Sequence, residues 1–96
     1  MEFIDIKITQ AEPKSEMWYL KPVSQNSHLI IKSNLDLPDK TFLNFKSATG
    51  KEVKNFLNRN GLNKRISIPD WARSIYMESA NANADTNLSF NICVEY

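Results

Sequence analysis

The 96-residue chain has one cysteine, Cys93, and one histidine, His28. A single cysteine excludes an intramolecular disulfide, so the chain is not a disulfide-stapled scaffold. One of each also leaves no zinc or iron ligand set, and no nucleophile with a base supplied by local sequence. His28 falls beside an expected strand start, and nothing near Cys93 in sequence provides the cationic surroundings that make a reactive thiolate. Only two glycines occur, Gly50 and Gly61, so there is no glycine-rich phosphate loop. The apolar runs are only a few residues long, and no charged leader precedes one; neither a signal peptide nor a membrane span is expected. The expected location is the cytoplasm, or outside the cell by a route without a classical signal peptide.

Charge of either sign is also scarce in net terms. The formal charge is +1, with a sequence pI near 7.8, so no overall field draws the chain to nucleic acid, a membrane surface or an acidic substrate. The distribution is uneven. Lys51, Lys54, Arg59, Lys64, Arg65 and Arg73 outweigh Glu52 and Asp70 in the middle, while Glu78, Asp85 and Glu95 are the only charged residues from 74 onward. Such runs usually mark solvated faces.

What the chain does have is alternation. With 42% hydrophobic and 24% charged residues it can bury enough apolar surface to fold as one domain, 1–96. Ile4, Ile6 and Ile8 recur at every second position, which puts them on one face of a strand. Pro13 ends that strand. Residues 16–23 are rich in aromatics and predict a second strand, with Trp18 and Leu20 on one face, Met17 and Tyr19 on the other, and Pro22 near an end or edge. Leu29, Ile31, Ser33 and Leu35 predict a third, Thr41 to Lys46 a fourth, and Pro38-Asp39-Lys40 a turn between them.

The stretch 47–63 supports two readings. Thr49 to Glu52 has capping-box spacing, and Val53, Phe56 and Leu57 would share the face of one short helix near 51–60. The alternative, preferred because its neighbours are strands and Asn55 and Asn58 are indifferent helix formers, is a hairpin turning at Thr49-Gly50. Ile66 and Ile68 then predict a short strand closed by Pro69-Asp70, and Ser74 to Ser79 another. Ala80 to Asn87 holds no large apolar residue and predicts an exposed loop. In the final nine residues Leu88, Phe90, Ile92, Val94 and Tyr96 alternate with Ser89, Asn91, Cys93 and Glu95. Seven or eight short strands imply an all-β fold, a small antiparallel β-sandwich of immunoglobulin-like or jelly-roll-like type.

Candidate chemistry is sparse. Asp36, Asp39, Asp70 and Asp85 all sit where turns use aspartate, so no acid–base pair is implied and the chain is not expected to be an enzyme. Asn81, Asn83, Asp85 and Asn87 repeat oxygen-bearing side chains at every second position, but one aspartate alone falls short of a calcium site. Asn87-Leu88-Ser89 matches a glycosylation sequon. Lys64-Arg65 and Arg73 with Trp71 make only a weak basic-aromatic patch, and no nucleic-acid partner is expected. Trp71, after the Pro69-Asp70 turn, either plugs the end of the sandwich or stands out as an anchor. Tyr19 is expected on the outer surface. These features predict a non-enzymatic binding protein without a cofactor, of the kind represented by small phage or bacterial inhibitors and accessory factors. It would engage a protein partner through loop residues or an exposed strand edge, with Trp71, Arg73, Tyr19, Asn83 and Asp85 as binding residues. The alternatives are a lectin-like carbohydrate-binding domain, with calcium assistance from the 81–87 loop, and a structural subunit or toxin component.

Overall fold

In the computed structural model, which describes residues 1–9, 11–33, 40–79 and 87–96, the alternating segments become eight strands. They are β1 (Glu2–Thr9), β2 (Trp18–Tyr19), β3 (His28–Ser33), β4 (Thr41–Lys46), β5 (Glu52–Leu57), β6 (Ile66–Ser67), β7 (Ser74–Ser79) and β8 (Asn87–Glu95). The antiparallel pairs β1 with β8, β2 with β7, β3 with β6 and β4 with β5 make one long hairpin ribbon. Folding that ribbon over brings β8 beside β3 and β7 beside β4. The result is two four-stranded sheets, ordered β1-β8-β3-β6 and β2-β7-β4-β5. Of the two expected sandwich types, this winding is the jelly roll.

The period-two pattern fills the space between the sheets. Ile4, Ile6 and Ile8 from β1, Leu29 and Ile31 from β3, and Leu88, Phe90, Ile92 and Val94 from β8 face Leu43, Phe45, Leu57, Ile75 and Met77 of the second sheet, all buried. Each such side chain contributes about 1.5–3 kcal/mol by leaving water. Ile92 lies at the centre, paired with Ile4 on one side and Ile31 on the other.

Of the two readings of 47–63 the preferred hairpin forms, and two other expectations change. No helix forms at 51–60. Val53 pairs with Phe45 and Phe56 with Phe42 across a ladder, so the side chains that would share a helix face take opposite faces of a strand. Gly50, at φ 96°, supplies the left-handed residue of the β4–β5 hairpin, and only a single 3-10 turn, Arg59–Gly61, follows. The second strand shrinks to Trp18–Tyr19 because residues 13–20 run along the β7 edge with irregular bonds: Ser79 N to Pro13 O, Ser15 N to Met77 O and Leu20 N to Arg73 O. The proline and the serine side chain that replaces one ladder partner of Met77 keep this stretch from becoming regular. Asn87 begins β8 rather than ending a loop. Leu35, Asp36, Pro38, Asp39, Asn81, Asn83 and Asp85 lie outside the described residues. No helix among the described residues is long and apolar enough to cross a membrane.

Candidate functional site

Three of the five expected binding residues meet at one end of the β2-β7-β4-β5 sheet. Tyr19 pairs with Ser74, and Leu20 N donates to the carbonyl of Arg73, two residues after Trp71. Their roles differ. Trp71 is half-buried against the core, and the Lys51 ammonium sits 4.5 Å from the centroid of its ring. Arg73 spends Nη1 on the carbonyls of Asp70 and Ala72, each at 2.9 Å. Both residues therefore fasten the 69–73 turn, Arg73 from an exposed position, and Tyr19, at 75% exposure, is the open aromatic of the three. Asn83 and Asp85 are outside the described residues. His28 is held in register opposite Glu95, with Nε2 2.8 Å from its carboxylate. Cys93 lies between Phe3 and Ile30 on the outer face of its sheet, a more apolar row than the alternation suggested.

The outer face of the β2-β7-β4-β5 sheet carries a polar network that sequence spacing does not reveal. Asn44 pairs with Lys54 on one side and Tyr76 on the other. Its wholly buried amide Nδ2 donates to Glu78 Oε1 at 3.1 Å, and Lys54 Nζ lies 2.9 Å from the same oxygen. Partial burial opposes ionisation of Glu78, but the bonds from Lys54 and Asn44, with the charges of Lys54 and Lys14, outweigh it and hold the carboxyl below its usual value. The same contact raises Lys54. Tyr76 donates its hydroxyl to Glu52, and burial, then that bond and the nearby carboxylates, push its ionisation well above the usual range. These groups bind one another as a network that braces a sheet, with Asn44 Oδ1 left as its one buried atom without a partner.

A groove of about 310 Å³ runs along the open edge of β1, between that strand and residues 12–18. Asp5, Ile6 and Lys7 form one wall; Glu12, Ser15, Glu16, Met17 and Trp18 form the other. Thr9 N donates to Glu12 O and so points away from β8. Ladder groups alternate along an antiparallel strand, so Asp5 and Lys7 also turn their N–H and C=O toward the groove. Across the sheet the parity agrees, since Ile31 O points away from β8 and accepts from Asn63 N. Both walls are fixed. Glu12 N donates to Thr9 Oγ1 at 3.1 Å, Ser15 Oγ accepts from Met77 N at 2.8 Å, and Asn91 Nδ2 donates to Asp5 Oδ1 at 2.8 Å. Trp18, paired with Ile75, leaves 39% of its surface open. The three carboxylates are spread along the groove; among the described residues no three His, Cys, Asp or Glu converge as a metal site would require.

No model of a known protein family matches the chain, and neither a curated protein nor a solved structure matches it.

Proposed function

We propose that the chain is a non-enzymatic binding module that takes up an extended, positively charged segment of a partner protein along the open edge of β1. The observation that carries this reading is the groove. It offers the unpaired backbone groups of Asp5 and Lys7 for strand addition, with Asp5, Glu12 and Glu16 against the single Lys7 along its walls. Backbone bonds in such a mode give affinity, and flanking side chains select the ligand. Three carboxylates select against acidic segments and favour lysine or arginine at alternate positions. Trp18 adds an aromatic surface on which a cationic side chain can lie. The expected loop anchors fit this role less well, because Trp71 and Arg73 are already engaged by Lys51 and by backbone carbonyls.

The test is titration of the isotopically labelled chain with a short peptide of alternating lysine and valine, and with its glutamate–valine counterpart. The lysine peptide should move the amide resonances of Phe3, Asp5, Lys7 and Trp18, weaken with added salt, and lose about tenfold in affinity, or roughly 1.4 kcal/mol, in the Glu12→Lys/Glu16→Lys chain. Equal binding of the glutamate peptide, or shifts confined to Tyr19 and the 69–73 turn, would overturn the reading.

A further inference from the structure

The opposite side of the sandwich has a second long edge with a different character. β5 ends its sheet and pairs only with β4. It has neither proline nor glycine to blunt it, and five of its six residues are at least partly exposed, among them Phe56 at 61% and Val53 at 38%. Its partner edges are protected by contrast: β6 is two residues long, and β2 is equally short. A regular edge with apolar side chains on both faces is a template for another strand.

We infer that the occupant of this edge is β5 of a second copy of the chain, added antiparallel about a twofold axis that sets Asn55 opposite Asn55. Ser47 N donates to Lys51 O within the hairpin, so odd-numbered residues of β4 face β5. In the ladder Leu43 pairs with Asn55 and Phe45 with Val53, which leaves the backbone groups of Glu52, Lys54 and Phe56 pointing outward. A twofold axis must place one residue opposite itself. Centring it on Lys54 sets two ammonium groups against each other, which is unfavourable. Centring it on Val53 uses only part of the strand and leaves Phe56 unopposed. With Asn55 at the centre, Lys54 of each copy lies opposite Phe56 of the other and the two exchange backbone hydrogen bonds. Val53 then meets Leu57, so both exposed apolar side chains gain an apolar or cationic neighbour. Lys54 already sits over one phenylalanine ring, Phe42, at 5.6 Å from its centroid, and the second ring extends the same contact. The Phe42–Phe56 edge-to-face pair holds Phe56 in place for it.

Self-pairing along β1 is disfavoured by the same physics, because two acidic grooves would be set face to face. Pairing at β5 instead joins the two β2-β7-β4-β5 sheets into one of eight strands and leaves both β1 grooves open, on the sides of the two sandwiches away from the new seam. The dimer is therefore bivalent, and its formation does not depend on what the groove binds.

The experiment uses the full chain with Cys93→Ser, so that introduced cysteines are the only thiols. Sedimentation equilibrium should show a concentration-dependent dimer, and Phe56→Lys, which opposes two lysines at an exposed position, should weaken it by at least about tenfold. On oxidation Asn55→Cys should give a covalent dimer, since an opposed, non-hydrogen-bonded pair brings Cα atoms to about 4.5 Å, within disulfide range. Val53→Cys and Lys54→Cys should give about a tenth as much or less. A chain that stays monomeric at its highest soluble concentration, strongest cross-linking at 53 or 54, or a dimer dissolved by Lys7→Pro but not by Phe56→Lys would each overturn the inference. A monomeric chain, or cross-linking strongest at 53 or 54, leaves the peptide titration at β1 untouched, and a dimer dissolved by Lys7→Pro would occupy the β1 edge and be displaced by the lysine peptide, so failure of one reading is distinguishable from failure of the other.

Discussion

Lys54 and Asn44, on neighbouring strands, converge on one oxygen of Glu78, the ammonium at 2.9 Å and the buried amide at 3.1 Å. The carboxylate is the hub that makes burial of Asn44 tolerable on an outer face. Glu78→Gln removes the charge and one strong acceptor, and should cost about 1–3 kcal/mol at neutral pH. For a domain of this size each kcal/mol lowers Tm by about 4–8 °C. Because the folded carboxyl ionises below its unfolded value, its contribution is present above the unfolded pKa, about 4.3, and is lost as pH falls through the lower folded value. Thermal unfolding of the two chains from neutral to acid pH should therefore converge at the acid end; a constant gap would show that the charge is not the cause.

Tyr76 carries the opposite dependence. Its hydroxyl is buried against the Glu52 carboxylate, which favours the protonated form in the folded chain. The unfolded chain loses that proton near its ordinary pKa of about 10, so this contribution is full below about pH 10 and declines above it. Tyr96, raised by burial and by its bond to Glu2, acts in the same direction. Urea midpoints measured from neutral to strongly alkaline pH should be level at first and then fall, with a shallower fall in Tyr76→Phe. In a spectrophotometric titration, Tyr76 should be the hydroxyl missing from that variant's late, unfolding-linked step.

Trp71 tests whether an aromatic residue after a turn fastens the fold or greets a ligand. Its ring packs on the core and is capped by Lys51, so Trp71→Ala should destabilise by about 2 kcal/mol or more. Lys51→Ala should cost less, about 0.5–1 kcal/mol. Peptide affinity at the β1 groove should be unchanged in both, once measured well below Tm. A loss of affinity with intact stability would return Trp71 to the role of anchor.

The architecture was legible where one face of a strand is buried along its whole length. Leu88, Phe90, Ile92 and Val94 announce a half-buried strand, and the bounds of β4 and β7 follow from Thr41–Lys46 and Ser74–Ser79. Residues 16–23 misled because aromatic content resembles strand propensity, whereas their partners along β7 are set by Pro13 and by the Ser15 hydroxyl. At 51–60 capping spacing competed with the hairpin, and the ladder to β4 decided. The sites were less legible for a different reason. Tyr19 could be placed outward from alternation beside Pro22, a local signal. Asp5 and Glu16, or Asn44 and Glu78, come together only through winding of the ribbon and the register of its strands, which no short window of residues records.

That register also supplies a clean way to close the β1 edge. Lys7 directs its backbone N–H into the groove, whereas Ile6 directs its own into the β8 ladder, opposite Phe90. Proline removes an amide donor and is tolerated in sheets only where that donor faces outward on an edge. Lys7→Pro should therefore keep the near-ultraviolet spectrum and most of the stability, a loss of about 1 kcal/mol being set by its fixed φ. It should also reduce binding of the lysine–valine peptide by at least about tenfold, although it removes a positive charge from an acidic groove. Ile6→Pro breaks a ladder bond and a core contact together, and should cost about 3 kcal/mol or more. Charge alone predicts tighter binding for Lys7→Pro and strand addition predicts weaker binding, so the direction of that single change decides whether the ligand lies along the edge as a ninth strand or merely sits in its field.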